Sequence, residues 1–264
     1  MSSLRLAGVL VTAWVAVACG GSAGADGPGS TTFSLTLGGS AATFAHDDPF
    51  AGQTATEVSA GVRRVTFIDA EGGEWTPFDA GTGNVEVSYG SAARTTLVEL
   101  PASQVRAGSY VEARLVQDWS RFDVLADLHE AGSVHAGTLH ALQVTSDQAA
   151  VGGELLELGS YRHEFHAPGI DRKYAGTAPV ASHSTTAQAE ANLENGEWTV
   201  LFPVDFELGA GAAGTLAISV NLDQAFRWQD LEAVGFSPGR YDIAPPVYEP
   251  VVQFGGNRFE VVWE

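Results

Sequence analysis

Seven histidines are the side chains best equipped for chemistry in this 264-residue chain. His129, His135 and His140 fall within twelve residues, and His163-Glu-Phe-His166 adds two more. Imidazole with carboxylate is a donor set that zinc and copper accept. On a strand, side chains alternate, so His163 and His166 point to opposite faces and cannot chelate one ion. Glu164 and His166 share a face, and His140 can approach across a sheet. The candidate metal ligands are therefore His129, His135, His140 and His166. The plainer reading is solvated or hydrogen-bonded surface histidines around a Gly/Ala-rich turn.

Other chemistries leave weaker traces. His46-Asp47-Asp48-Pro49 and Asp69-Ala-Glu71-Gly72 are short acidic loops that offer oxygen to calcium, but neither has the spaced ligands of a twelve-residue calcium loop. Acids in turns also serve simply as turn formers. No His-Glu-x-x-His occurs, and Asp205 with Glu207 on one strand face is the kind of carboxylate pair that hydrolases use. Gly209-Ala-Gly-Ala-Ala-Gly214 spells a dinucleotide-binding pattern, yet an alternating strand follows it where that mechanism needs a helix. Among the tryptophans, Trp119 and Trp228 sit between polar residues at element ends. They are the two expected to be exposed and to stack on a ligand such as a glycan.

These side chains are held by strands. From Phe33 onward the dominant period is two: Phe33/Leu35/Leu37, Val62–Ile68, Val85/Val87/Tyr89 and Tyr110–Val116 all alternate. Phe122–Leu128, Thr138–Thr145, Leu155–His166, Trp198–Glu207, Thr215–Leu222, Val247–Phe254 and Arg258–Trp263 continue the series. Gly- and Asn-rich turns separate them, including Glu71-Gly72-Gly73, Asn195-Gly196 and Gly255-Gly256-Asn257. The pattern predicts an all-β, antiparallel sandwich, Greek-key-like, with at most one or two short helices. One short helix is expected within 223–233, and hairpin turns at 71–73 and 255–257. The Ala/Ser/Thr/Gly-rich stretch 168–195 reads as a long surface loop with a helical patch at Ala187–Leu193.

The chain carries 13 Lys and Arg against 32 Asp and Glu, a formal charge of −19, and one lysine, Lys173. A nucleic-acid partner is excluded, because phosphates need clustered basic residues. One cysteine excludes a disulfide framework. Ahead of it, Leu6–Ala18 is an apolar run too short to span a bilayer as a helix and suited to a secretory signal. Ala16-Val17-Ala18-Cys19 resembles a bacterial lipobox. That resemblance implies cleavage before Cys19, lipid (diacylglycerol and palmitate-like acyl chains) on it, and anchoring in the cell envelope. With Gly20 in place of an aspartate after the cysteine, the outer membrane is the first expectation, and the inner membrane and surface display are the alternatives. Several acyl chains suffice for stable anchoring. The boundaries expected are a signal peptide 1–18, a flexible tether 19–32 and one sandwich domain 33–264.

Leu100-Pro-Ala-Ser-Gln-Val-Arg-Ala-Gly-Ser-Tyr-Val-Glu-Ala-Arg-Leu115 resembles a segment of an uncharacterised family of bacterial lipoprotein domains. Ala217-Ile-Ser-Val-Asn-Leu-Asp-Gln224 and Tyr241-Asp-Ile-Ala-Pro-Pro-Val-Tyr-Glu-Pro-Val251 are similar to its closing strands. What the resemblance implies is a sandwich on a lipid tether, without known chemistry. The expected function is a lipid-anchored envelope protein with a non-enzymatic structural or binding role and no obligatory cofactor. The alternatives are a protein binding metal (calcium, zinc or copper) or carbohydrate, and a hydrolase. Expected partners are the membrane, envelope proteins and glycans.

Overall fold

The computed structural model describes residues 31–90, 93–180, 183–185, 188–231 and 235–264. Cys19, the lipobox, the signal peptide and nearly all of the tether lie outside the described residues. Among the described residues no helix is long and apolar enough to cross a membrane.

The first half of the chain forms β1 (Thr32–Ser40), β2 (Ala51–Gln53), β3 (Glu57–Asp69), β4 (Glu74–Asp79), β5 (Val85–Ser88), β6 (Thr95–Pro101), β7 (Gly108–Glu130) and β8 (Ser133–Val144). There follow β9 (Ala149–Val151), β10 (Glu154–Leu156), β11 (Ser160–Ala167), β12 (Ile170–Thr177), β13 (His183–Thr185), β14 (Glu190–Glu194) and β15 (Glu197–Leu208). The chain closes with β16 (Gly214–Asn221), β17 (Phe226–Trp228), β18 (Asp242–Ala244), β19 (Val247–Tyr248), β20 (Val251–Gln253) and β21 (Phe259–Trp263). A single 3₁₀ turn, Ala102–Gln104, is the one helical element among the described residues.

The protein is an all-β sandwich. Its large sheet is built on the 23-residue β7, which carries β3 along one edge and β15 then β8 along the other. The sheet continues outward through β11 and β12 on one side and β14 and β13 on the other. Two smaller sheets, β21-β16-β1-β6 and β2-β17-β20, lie against it. Pairing is antiparallel apart from β1 with β16 and β7 with β18, which run parallel. Phe33, Leu35 and Leu37 join Val65, Phe67, Leu115 and Phe202 in one core. Val124, Leu139, Phe165, Phe226, Trp228 and Ile243 make a second. Alternating runs fold this way because each strand has one apolar face to bury.

Several expectations change. Residues 168–195 are no long loop: β12, β13 and β14 run through them, and the helical patch expected at 187–193 contains most of β14. β12 and β13 end the sheet and β14 lies one strand in, and an antiparallel sheet needs only one apolar face, so small and polar residues suffice. The helix expected within 223–233 is replaced by β17, because Phe226 and Trp228 two apart both reach the core. The run Leu155–His166 breaks at Gly159, whose backbone has φ +84° and where a Cβ would lie 2.3 Å from the Ala178 carbonyl oxygen. The turn at 255–257 is no hairpin either: β20 pairs with β17 and β21 with β16, so the segment crosses between sheets. Asn195-Gly196 does close a β14–β15 hairpin, both residues at positive φ as a type I′ turn requires.

Candidate functional site

Between the two cores the inner face of the large sheet turns polar. Ser120 on β7 stands beside Ala60 on β3 and Gln143 on β8, and Gln143 stands beside Tyr161 on β11. Gln117 joins the same side because the β3–β7 register shifts around Val62. Over this row the two smaller sheets meet without closing, and a cavity of about 220 Å³ remains. Its apolar walls include Val58, Phe122, Trp198, Val200, Leu222 and Phe226. Phe122 is flanked by Phe226 and Phe254, ring centroids 5.1 and 5.7 Å away.

The mouth is framed by the edge strand β20 and the segment after it, where Val251, Val252 and Phe254 are 37%, 40% and 37% exposed. A buried amide network fixes that segment. Gln253 Nε2 donates to Asn257 Oδ1 at 2.8 Å, and Asn257 Nδ2 donates to Asn221 Oδ1 at 3.0 Å and to the Asp223 carbonyl at 2.6 Å. Among the described residues the lining contains no Asp, Glu, Lys, Arg or His. Inside, Gln117 Nε2 donates to the Tyr89 hydroxyl at 3.1 Å, and burial pushes the Tyr89 phenol far up, so it stays neutral.

A second, polar cleft adjoins it, sharing Val252 and Gln253 and lined also by Phe44, His46, Asp47, Asp48 and Arg227. Arg227 is buried, and its guanidinium donates to Asp48 and, at 2.7 Å, to the Phe50 carbonyl. Partial desolvation of Asp48 acts upward, but the hydrogen bond and charge of Arg227 hold its carboxyl below the usual value.

The histidines do not assemble. His135 and His140, five apart on β8, face opposite sides: His135 is registered with core-facing Leu128, His140 with Asp123. His129 Nε2 lies 2.5 Å from Asp242 Oδ1, with its ring against Phe236. His140 and His166 do meet, rings 5.1 Å apart, and His140 Nδ1 is 2.7 Å from Asp123 Oδ2. Among the described residues no group of three or more His, Cys, Asp or Glu is placed to hold a metal ion. His163 is packed between Tyr161 and Tyr248, and burial lowers its pKa to about 4.

The tryptophan expectation is overturned. Trp119 and Trp228 are 2% and 1% exposed, each in an apolar cluster, and neither lines a cleft described above. The tryptophan that lines the cavity is Trp198 on β15, reached just after the Asn195-Gly196 turn. The acidic loops act as turn formers: Asp69 Oδ1 accepts the Glu71 and Gly73 amides while its Oδ2 meets Arg106. Asp205 and Glu207 are exposed on β15. The glycines at 209–214 connect β15 to β16, where the chain crosses between sheets. Compared with family models, curated proteins and solved structures, the chain matches none.

Proposed function

We propose that this protein is a non-enzymatic binding module of the bacterial envelope, held at the membrane by lipid on Cys19, which takes a small apolar molecule into the inter-sheet cavity. The observation that carries the binding role is the cavity: a gap between two well-packed cores, walled by aliphatic and aromatic side chains, with exposed apolar residues at its mouth. Concave apolar sites with a few placed polar groups are the common form of small-molecule sites. The Ala16–Cys19 sequence supports the anchor, and the acidic balance of the chain suits a solvated envelope protein.

The neutral apolar dye N-phenyl-1-naphthylamine is expected to bind one-to-one and brighten, quenching or shifting Trp198 emission. Ala191→Phe, which places a ring in the cavity, is expected to weaken dye binding by about tenfold or more, equivalent to roughly 1.4 kcal/mol. Dye binding unchanged by that variant, or absent from the native protein, overturns the cavity as the site. Separately, Cys19→Ser is expected to abolish acyl labelling and release the protein from membranes. Membrane retention of that variant overturns the anchor and leaves the cavity reading standing.

A further inference from the structure

Resting on the cavity being the ligand site, we infer that its ligand is an uncharged amphiphile: a short apolar chain bearing an amide or hydroxyl that lies on the Ser120–Gln143 row. Inner positions of central strands in a sandwich ordinarily carry apolar side chains. Here β7 and β8 place Ser120 and Gln143 side by side between two apolar cores, facing the cavity. Neighbouring polar groups are used internally: Thr145 Oγ1 donates to the Gln117 carbonyl, and Gln117 donates to Tyr89. Gln143 Nε2 makes one long contact, 3.3 Å, to the Val144 carbonyl. Its Oε1 and the Ser120 hydroxyl have no protein partner among the described residues. Polar groups set in an apolar wall favour a ligand group that hydrogen-bonds to them.

Charge decides the class. The described lining carries no ionisable acid, base or imidazole, so a charged head drawn inside would be desolvated without a counter-charge. The cation of the adjoining cleft, Arg227, is not among the residues lining the cavity, and its Nη2 is engaged by Asp48 and the Phe50 carbonyl. A formal charge of −19 further disfavours anions. At about 220 Å³ the cavity lies below the range of about 300–1,000 Å³ common for ligand pockets, which favours a short chain.

The test displaces N-phenyl-1-naphthylamine from the full-length protein with three probes of equal chain length: octanamide, octanoate and octylammonium. Octanamide is expected to displace the dye at a concentration about tenfold or more below either ion, since the ions lose hydration without gaining a partner. Gln143→Leu combined with Ser120→Ala is expected to remove most of that advantage, read as the ratio of octanamide to octanoate displacement against the variant's own dye affinity. Should this pair fail to fold, the selectivity of the native protein decides alone. Octanoate binding as well as octanamide or better would place the head at Arg227 and overturn the inference. Octylammonium binding best would assign selectivity to the overall negative charge of the chain and overturn it too. In both cases bound dye leaves the cavity reading intact, whereas failure of the dye itself to bind overturns that reading first and this one with it.

Discussion

Trp119→Ala is expected to lower the free energy of unfolding by about 3–5 kcal/mol, the range for truncating a large buried aromatic. Trp119 projects from β7 on the side opposite Ser120, away from the cavity. There it packs with Leu142, Val144, Ala149 and Val151, so the β9–β10 hairpin covers its ring. Its indole Nε1 donates to the Ala150 carbonyl at 3.0 Å and to Asn84 Oδ1 at 3.3 Å. Truncation leaves a void and removes the donor from both acceptors. The neighbouring strand is shaped to the ring: a Cβ at Gly61 would lie 2.2 Å from the indole nitrogen. Gly61→Ala is expected to destabilise through that clash even though the added group is one methyl. Urea denaturation followed by circular dichroism reads both. A Trp119→Ala loss below about 1 kcal/mol would mean that the hairpin does not seal the ring, since surface changes stay within about 0.5 kcal/mol.

The same residue shows where sequence reading fails. Gln117-Asp118-Trp119-Ser120-Arg121 looks like a surface segment because four of five residues are polar. Each has its own reason to be there. Asp118 is fully buried in an ion pair with Arg63, 2.7 Å between charged atoms, and Asn84 donates to its other oxygen. Gln117 and Ser120 face the cavity, and Arg121 lies over the indole ring with its guanidinium carbon 5.2 Å from the centroid. Strand alternation was legible elsewhere because those strands bury one plain apolar face: Phe33, Leu35 and Leu37 are fully buried, as their spacing predicts. Tyr110 likewise turns its ring inward, with its hydroxyl donating to the Arg106 carbonyl at 2.8 Å.

The site itself was hidden because no short segment contains it. Its walls include residues of β3, β7, β8, β14, β15, β16, β17, β20 and β21, from Ala55 to Phe259 in the chain. One trace was present: Ser120 and Gln143 fall in the inward phase of strands whose next inward residues are Phe122 and Ala141. Reading that trace requires knowing that β7 and β8 pair with Ser120 beside Gln143, which periodicity does not give. The histidines were legible only in part for the complementary reason: alternation turns His135 away from His140 and His129 is taken up by Asp242, whereas His140 and His166 meet across the sheet.

Glu249→Ala is expected to cost about 2–4 kcal/mol of stability, because it strips acceptors from two amides in the interior. Glu249 is 1% exposed; its Oε1 accepts the Leu231 amide at 2.7 Å and its Oε2 the Asp242 amide at 2.8 Å. Asp242, fully buried, in turn accepts the Ser237 amide and meets His129. Two carboxylates therefore tie the chain on both sides of 232–234 to β18. Holding them there has an electrostatic cost. Burial raises the Glu249 carboxyl above its ordinary value near 4.5, and the nearby Asp242 and Asp230 charges act in the same direction. The native state thus binds this proton more tightly than the unfolded chain does. Its contribution is fully present in acid and is lost as pH rises through the raised native value. Glu249→Gln removes that titration but can accept only one of the two amides through its single carbonyl oxygen. The stability of the native protein relative to Glu249→Gln should consequently be greater near about pH 5 than near about pH 7.5, measured by urea unfolding at each. Carboxylates held below their usual range, such as Asp48 beside Arg227, change stability in the opposite direction but are common to both proteins and cancel. A difference that is flat between the two pH values would mean that the Glu249 carboxyl is not raised, and that its two amide bonds stand without an opposing charge.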